Sequence, residues 1–334
     1  MKKTSDSAGA TAAAGAAAAG VAAEPAGVKP ARKKAARNEP TVPAPKPGVR
    51  DRVLSTLSMG SRIPVPGNFI FDPRGMDFWF PLLGLPVALL FLLSYFLFFF
   101  LFRSPELGVL LAMGLAYYAF NLFHFDGLLD TADAFLGPGN REKRLAILKD
   151  SRIGVFAFFT GFLYLTCKFF LLLRFVPFFT ALPKGIGGAV FSMAILLFPV
   201  AGRFAAALIP GIFPPARPEG LGFLLKESTV PRTIRGAAIA VVLWSIVVGG
   251  ALIVASYLVR GPLFWLTPTR YWALPIILLL PLAAAYPVAI LLGRVYVKGI
   301  GGYSGDTLGT AVELGELIHL LSVLFLGYAL GIIL

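Results

Sequence analysis

The chain has 334 residues, is 57% hydrophobic with a mean hydropathy of +0.79, and carries only 14% charged side chains. These proportions exclude an ordinary soluble domain and describe a polytopic membrane protein. The net charge of +13 does not indicate a nucleic-acid partner: 10 of the 30 Lys and Arg lie in residues 1–52, many others flank apolar runs, and no groove-reading motif or aromatic platform accompanies them.

Residues 1–52 are rich in Ala, Gly, Pro and Lys and have few large apolar side chains to offset the entropy of ordering. A disordered basic tail is expected there, cytoplasmic because it lacks the continuous apolar region of an export signal. Its basic run at 32–37 would either touch anionic lipid or stay solvated. The membrane-embedded catalytic domain is expected over 53–334. Its first part, 53–78, contains Arg62-Ile63-Pro64-Val65-Pro66, is too short and broken to span, and is placed at the interface.

Seven apolar runs follow, at 79–102, 107–125, 153–175, 186–209, 236–259, 271–292 and 314–334, each near the roughly 20 residues that cross a bilayer. The expected fold is therefore an all-α membrane helix bundle. Pro275, Pro281 and Pro287 interrupt the sixth run, which is tolerable where neighbours satisfy the freed carbonyls. With the N-terminus cytoplasmic, the inner segments carry 23 Lys and Arg and the outer connections 5. That asymmetry is what the positive-inside rule demands. Cys167, the single cysteine, sits in an apolar run and offers neither a disulfide framework nor a thiolate metal site.

Beyond residue 78 only Glu106 faces outside; the other ten acids and both histidines gather in or beside the inner segments. Asp126, Asp130 and Asp133 share one helical face at the end of the second run. Near a bilayer such a cluster needs compensation, and Mg²⁺ held by carboxylates and substrate phosphates supplies it economically. The alternative is a set of capping and turn aspartates beyond a helix end. Lys149, Asp150 and Arg152 precede the third run; Arg203 lies inside the fourth, with Arg217 beyond it; Gly302, Gly305 and Asp306 form a Gly-rich turn. Carboxylates for metal, Arg and Lys for phosphate, and a turn open to close backbone approach suit phosphoryl transfer, which needs no protein nucleophile. His124 is open to two roles, orienting a metal ligand or acting as a general base. Lys168 is expected to be structural, and His319 to hydrogen-bond inside the bundle.

The segments HFDGLLDTADA (124–134) and ILKDSRIG (147–154) resemble the cobalamin synthase family, also called adenosylcobinamide-GDP ribazoletransferases, whose pattern reads HxDGLADTADG then IMKDSRxG. SRIPVP at 61–66, FPLLG at 80–84, AR with EGLG at 216–222 and GGYSGDTLG at 301–309 are similar to further family motifs in the same order. The departures, Leu129, Ala134, Leu148 and Ala157, remove no charged group. The resemblance implies Mg²⁺-dependent joining of adenosylcobinamide-GDP to α-ribazole or its 5′-phosphate, with release of GMP, at the cytoplasmic face of the inner membrane. On that basis Asp126, Asp130 and Asp133 hold metal with Asp150 as a further ligand. Lys149, Arg152, Arg203 and Arg217 offset phosphate charge, and Asp306 orients or deprotonates the acceptor. A second copy of the chain and other nucleotide-loop assembly enzymes are the candidate protein partners. A CDP-alcohol phosphotransferase shares the metal logic, but DGLLDT lacks that family's Ala-Arg. A transporter would want midplane charges or inverted repeats, which the sequence does not display.

Overall fold

A computed structural model describes residues 46–180, 186–261 and 272–333. The expectations for the tail up to residue 45, and for the connections at 181–185 and 262–271, lie outside the described residues. Among these the chain is helical, and its only β pairing is an isolated bridge between Pro215 and Tyr303.

Helix α1 (Val49–Gly60) begins inside the segment assigned to the tail. The stretch after it is pinned by Asp72, which accepts from Arg52 Nε at 3.1 Å and Arg74 Nε at 2.8 Å while its backbone N–H donates to Ser55 Oγ at 2.9 Å. The apolar helices follow: α2 (Met76–Phe102), α3 (Pro105–Ala116), α4 (Leu122–Leu136), the short α5 (Arg141–Ile147), α6 (Val155–Thr180), α7 (Ile186–Leu196), α8 (Phe198–Leu208), the single turn α9 (Leu221–Leu224), α10 (Val230–Trp244), α11 (Gly250–Arg260), α12 (Ala273–Ala283), α13 (Ala285–Ile300) and α14 (Gly305–Ala329).

Six helical runs among the described residues are long and apolar enough to cross a membrane. The count is seven if α7 and the α8 run, bent by 50° where Pro199 opens α8, form one span. Two boundaries differ from expectation in a way that matters. The second span runs on from Pro105 to Leu136 through a π-helical turn at Tyr117–Asn121, so the aspartates ride on the span itself. The last begins at Gly305, where Ser304 caps it: Ser304 Oγ accepts from Thr307 N and Ser304 N donates to Thr307 Oγ1. Asp306 is thereby in its first turn.

Lipid chains are as apolar as leucine, so helices in a bilayer associate through close packing of small residues and buried polar contacts. The inner helix is α14, flanked by α4 and α8. A methyl on Gly127 of α4 would stand 2.5 Å from the Asp306 carbonyl oxygen, and one on Gly309 of α14 would stand 2.8 Å from that of His124. The two backbones touch through reciprocal glycines. Gly84 of the FPLLG motif does the same for α2 and α8, since its added methyl would lie 2.5 Å from Val200 N.

Gly84→Val should therefore lower the thermal unfolding midpoint in detergent, by an amount equivalent to about 1–3 kcal/mol. Gly250→Ala, where nothing lies within 4 Å of the added carbon, should leave it unchanged or slightly raised.

Candidate active site

A pocket of about 380 Å³ opens at one end of the bundle, beside the first turns of α4 and of α14. Met59, Met76, Phe80, Phe123, Leu225 and Leu308 give it an apolar wall, and Asp126, Asp306, Asp77, His124, Ser58, Ser228 and Gly305 supply polar atoms. No Lys or Arg of the described residues lines it. Asp77 is already engaged: it accepts from Thr229 N at 2.7 Å and from Arg232 Nε at 2.9 Å. Nothing in its sequence surroundings marked it beyond its place in the first turn of an apolar helix.

Asp126, Asp130 and Asp306 are different. None has a Lys or Arg nitrogen of the described residues within 4.0 Å, and neither Asp126 nor Asp130 accepts a hydrogen bond from them. The repulsive neighbours of Asp130 are Asp126, Asp306, Asp133 and Asp150. Asp306 feels Asp126 against it and Arg217 in its favour. Among the described residues no three His, Cys, Asp or Glu side chains are grouped so that they could hold a metal ion together. The oxygens of Asp126, Asp130 and Asp306 are nevertheless all carboxylate and without a direct Lys or Arg partner among the described residues, Asp126 exposed and the other two half-buried, a donor chemistry that suits a hard divalent cation.

Asp133 divides its work. Its carboxylate accepts from Gly154 N at 2.6 Å and Ala157 N at 2.9 Å, capping the first turn of α6 from another helix. Asp133 therefore does cap a helix, but from within α4 rather than from beyond a helix end, as the alternative reading has it. Gly154 permits the approach, because a methyl there would sit 2.6 Å from Asp133 Oδ1. Asp150 is gripped by Arg152 through contacts of 2.6–3.1 Å, and these bonds hold its carboxyl down at about 2, below the usual range. The Arg152 side chain itself is exposed, as is Lys149. Arg217 reaches back to donate to the Leu145 carbonyl at 2.7 Å.

Of the residues expected to meet substrate only Gly305 lines the pocket; Lys149, Arg152 and Arg217 stand on loops outside its lining, and Gly302 and Arg203 are buried elsewhere. Gly302 is buried against another loop, where a methyl would stand 2.2 Å from the Pro214 carbonyl oxygen, and the adjoining Tyr303 exchanges backbone hydrogen bonds with Pro214 and Ala216. Its missing side chain serves chain packing. Arg203 is fully buried, with Nη1 on Glu316 at 3.0 Å and Nη2 on Asn121 at 2.9 Å. Its charge is spent inside the bundle. His124 does line the pocket; it is buried, its ring centroid lies 5.7 Å from that of Phe80, and its Nδ1 lacks a hydrogen-bond partner among the described residues. His319 bonds the Ala194 carbonyl at 2.7 Å, as a structural histidine should.

Fold and site together define a polytopic helical membrane protein with a carboxylate-bearing pocket at one end of its bundle. The chain belongs to the cobalamin-5-phosphate synthase family, whose profile matches residues 52–324. An adenosylcobinamide-GDP ribazoletransferase from Fervidobacterium nodosum is 27% identical over 287 residues, covering 82% of this chain and 97% of the relative. One from Pseudomonas putida is 32% identical over 275 residues, 80% of this chain and 96% of the relative. One from Roseiflexus is 34% identical over 197 residues, 59% of this chain and 60% of the relative. No solved structure matches the chain.

The two kinds of aspartate should separate in a thermal unfolding series without divalent cation. Asp133→Ala removes the cap of α6 and should cost about 0.5–2 kcal/mol. Asp130→Asn removes a repelled charge and should leave the midpoint equal or higher.

Proposed function

We propose that the chain joins adenosylcobinamide-GDP to α-ribazole or α-ribazole 5′-phosphate, releasing GMP, in a Mg²⁺-dependent step at the cytoplasmic face of the cell's inner membrane. The observation that carries this is the meeting of Asp126 and Asp130 from α4 with Asp306 from α14, with no Lys or Arg nitrogen of the described residues within 4.0 Å of them, beside a mostly apolar pocket. Family membership supplies the reaction class, and the lopsided distribution of Lys and Arg supports the orientation.

Asp126 and Asp130 would hold Mg²⁺, with Asp133 and Asp150 adding oxygen from carboxylates that already have protein partners. When bound, the ion offsets the charge of the diphosphate and of departing GMP. The chain's own groups do the rest. The apolar wall receives the flat aromatic base of the acceptor and excludes water from it. With either acceptor, a ribose hydroxyl other than the 5′ one forms the bond from its oxygen to the cobinamide-linked phosphorus, and the bond from that phosphorus to the oxygen bridging to GMP breaks. Asp306 orients the hydroxyl and takes its proton. Arg217, next to Asp306 in charge, and Lys149 and Arg152 on the adjoining loop face the phosphates.

Purified protein given adenosylcobinamide-GDP, α-ribazole and Mg²⁺ should release GMP, and EDTA should stop it. Asp130→Asn and Asp306→Asn should each lower kcat by about 10² or more, with the unfolding midpoint retained. Met59→Ala should raise KM for the acceptor roughly tenfold and leave KM for the GDP-linked donor in place. No GMP from either acceptor form would overturn the proposed reaction.

A further inference from the structure

Behind the pocket, in the interior of the bundle, lie four charged side chains that the transfer itself does not use. Lys168 of α6, Arg203 of α8, and Glu313 and Glu316 of α14 are at most 1% exposed. Glu316 is shared between the two cations, contacting Lys168 Nζ through Oε2 and Arg203 Nη1 through Oε1. Glu313 accepts from Tyr117 OH at 2.6 Å and Asn121 Nδ2 at 3.1 Å, with Lys168 Nζ at 3.5 Å. Lys168 also donates to the hydroxyls of Tyr117 and Tyr164, and Asn121 bonds both Glu316 and Arg203. Two positive and two negative charges close on one another, so the group is neutral as a set.

We propose that this quartet, with Asn121, is a positioning device for the pocket: it fixes the register of α4 against α14 and so sets the separation of Asp126 and Asp130 from Asp306. Asn121 and Tyr117 sit in the π-helical turn that leads directly into α4. Asn121 is about 7.5 Å of helix axis from Asp126, and Glu313 is about 10 Å from Asp306. A slide or rotation of either helix that preserved apolar packing would break several of these bonds at once. Apolar contacts against lipid-like neighbours discriminate registers poorly, whereas a buried charge stripped of its partner is strongly disfavoured. The Arg203 guanidinium carbon also lies 6.0 Å from the centroid of Phe80, whose ring lines the pocket, so the device touches the pocket wall.

The inference rests on the proposed transferase reading, and its test separates the two. Lys168→Met alone leaves an odd buried charge and should lose folded protein. Lys168→Met combined with Glu316→Met leaves one buried cation, Arg203, and one buried carboxylate, Glu313, and should restore the unfolding midpoint that the single variant loses. If the quartet positions the site, this double variant, although folded, should bind Mn²⁺ roughly tenfold more weakly by electron paramagnetic resonance and turn over roughly tenfold more slowly, with donor KM held. Arg203→Lys keeps the charge but cannot span Glu316 and Asn121 together, and should show the same pair of losses with the midpoint retained. Wild-type Mn²⁺ affinity and kcat in either folded variant would overturn the positioning role. Mn²⁺ binding by a wild-type protein that releases no GMP would instead remove the transferase reading while leaving the Mn²⁺ comparison decisive for the quartet.

Discussion

The crossing of α4 and α14 through Gly127 and Gly309 is the contact on which the site depends. With no hydrophobic gain to be had from exchanging lipid for leucine, two spans approach backbone to backbone only where side chains are absent. Here each glycine faces the backbone of a residue bearing, or adjoining, a functional group: Gly127 against Asp306, Gly309 against His124. The approach that makes the pair of helices stable is therefore the same approach that brings their carboxylates together. Repulsion between Asp126 and Asp306 is the cost of that geometry, and it is tolerated because the packing below it is tight.

The charges of α14 fall into two classes within one helix. Glu313 and Glu316 are buried among cations and hydroxyls, whereas Asp306, two turns nearer the helix start, has no cation within 4.0 Å among the described residues. A buried carboxylate left without a partner would be too costly to keep ionised, so the interior pair is fully compensated. At the helix start water, the first-turn N–H groups and an incoming cation can each share the load, so incomplete compensation is tolerable there. Asp133 stands between the classes, its charge absorbed by the opening turn of α6.

Much of this was legible in the sequence because it is written in composition and short motifs. Apolar run length located the spans, and the acids collected on one side of the charge map. What pattern could not supply was partnership. Pattern sends Arg203 to phosphate and leaves Lys168 structural, whereas the tertiary packing assigns both to Glu316. Gly302 in a glycine-rich turn reads as a ligand cradle, yet its open side is filled by the 214–216 backbone. The expected second span ends at residue 125, one before Asp126, because charge ordinarily ends an apolar run; the helix continues since Thr131, Ala132 and Ala134 are buried within the fold. The acidic face at 126–133 was legible, but not that one of its three members caps another helix.

The same division explains why the pocket is mostly apolar and, among the described residues, free of Lys and Arg. Cations within it would pair with Asp126 and Asp306 and neutralise the oxygens that the proposed reaction needs. They stand instead on surrounding loops: Arg217 tied to Leu145, Arg152 tied to Asp150, Lys149 exposed. On the proposed reading these loops meet the diphosphate from the aqueous side, while the pocket receives an uncharged aromatic base against Met59, Phe80 and Leu308. The carboxylates lie at the junction of the two environments, where a phosphorus between donor and acceptor would also have to lie.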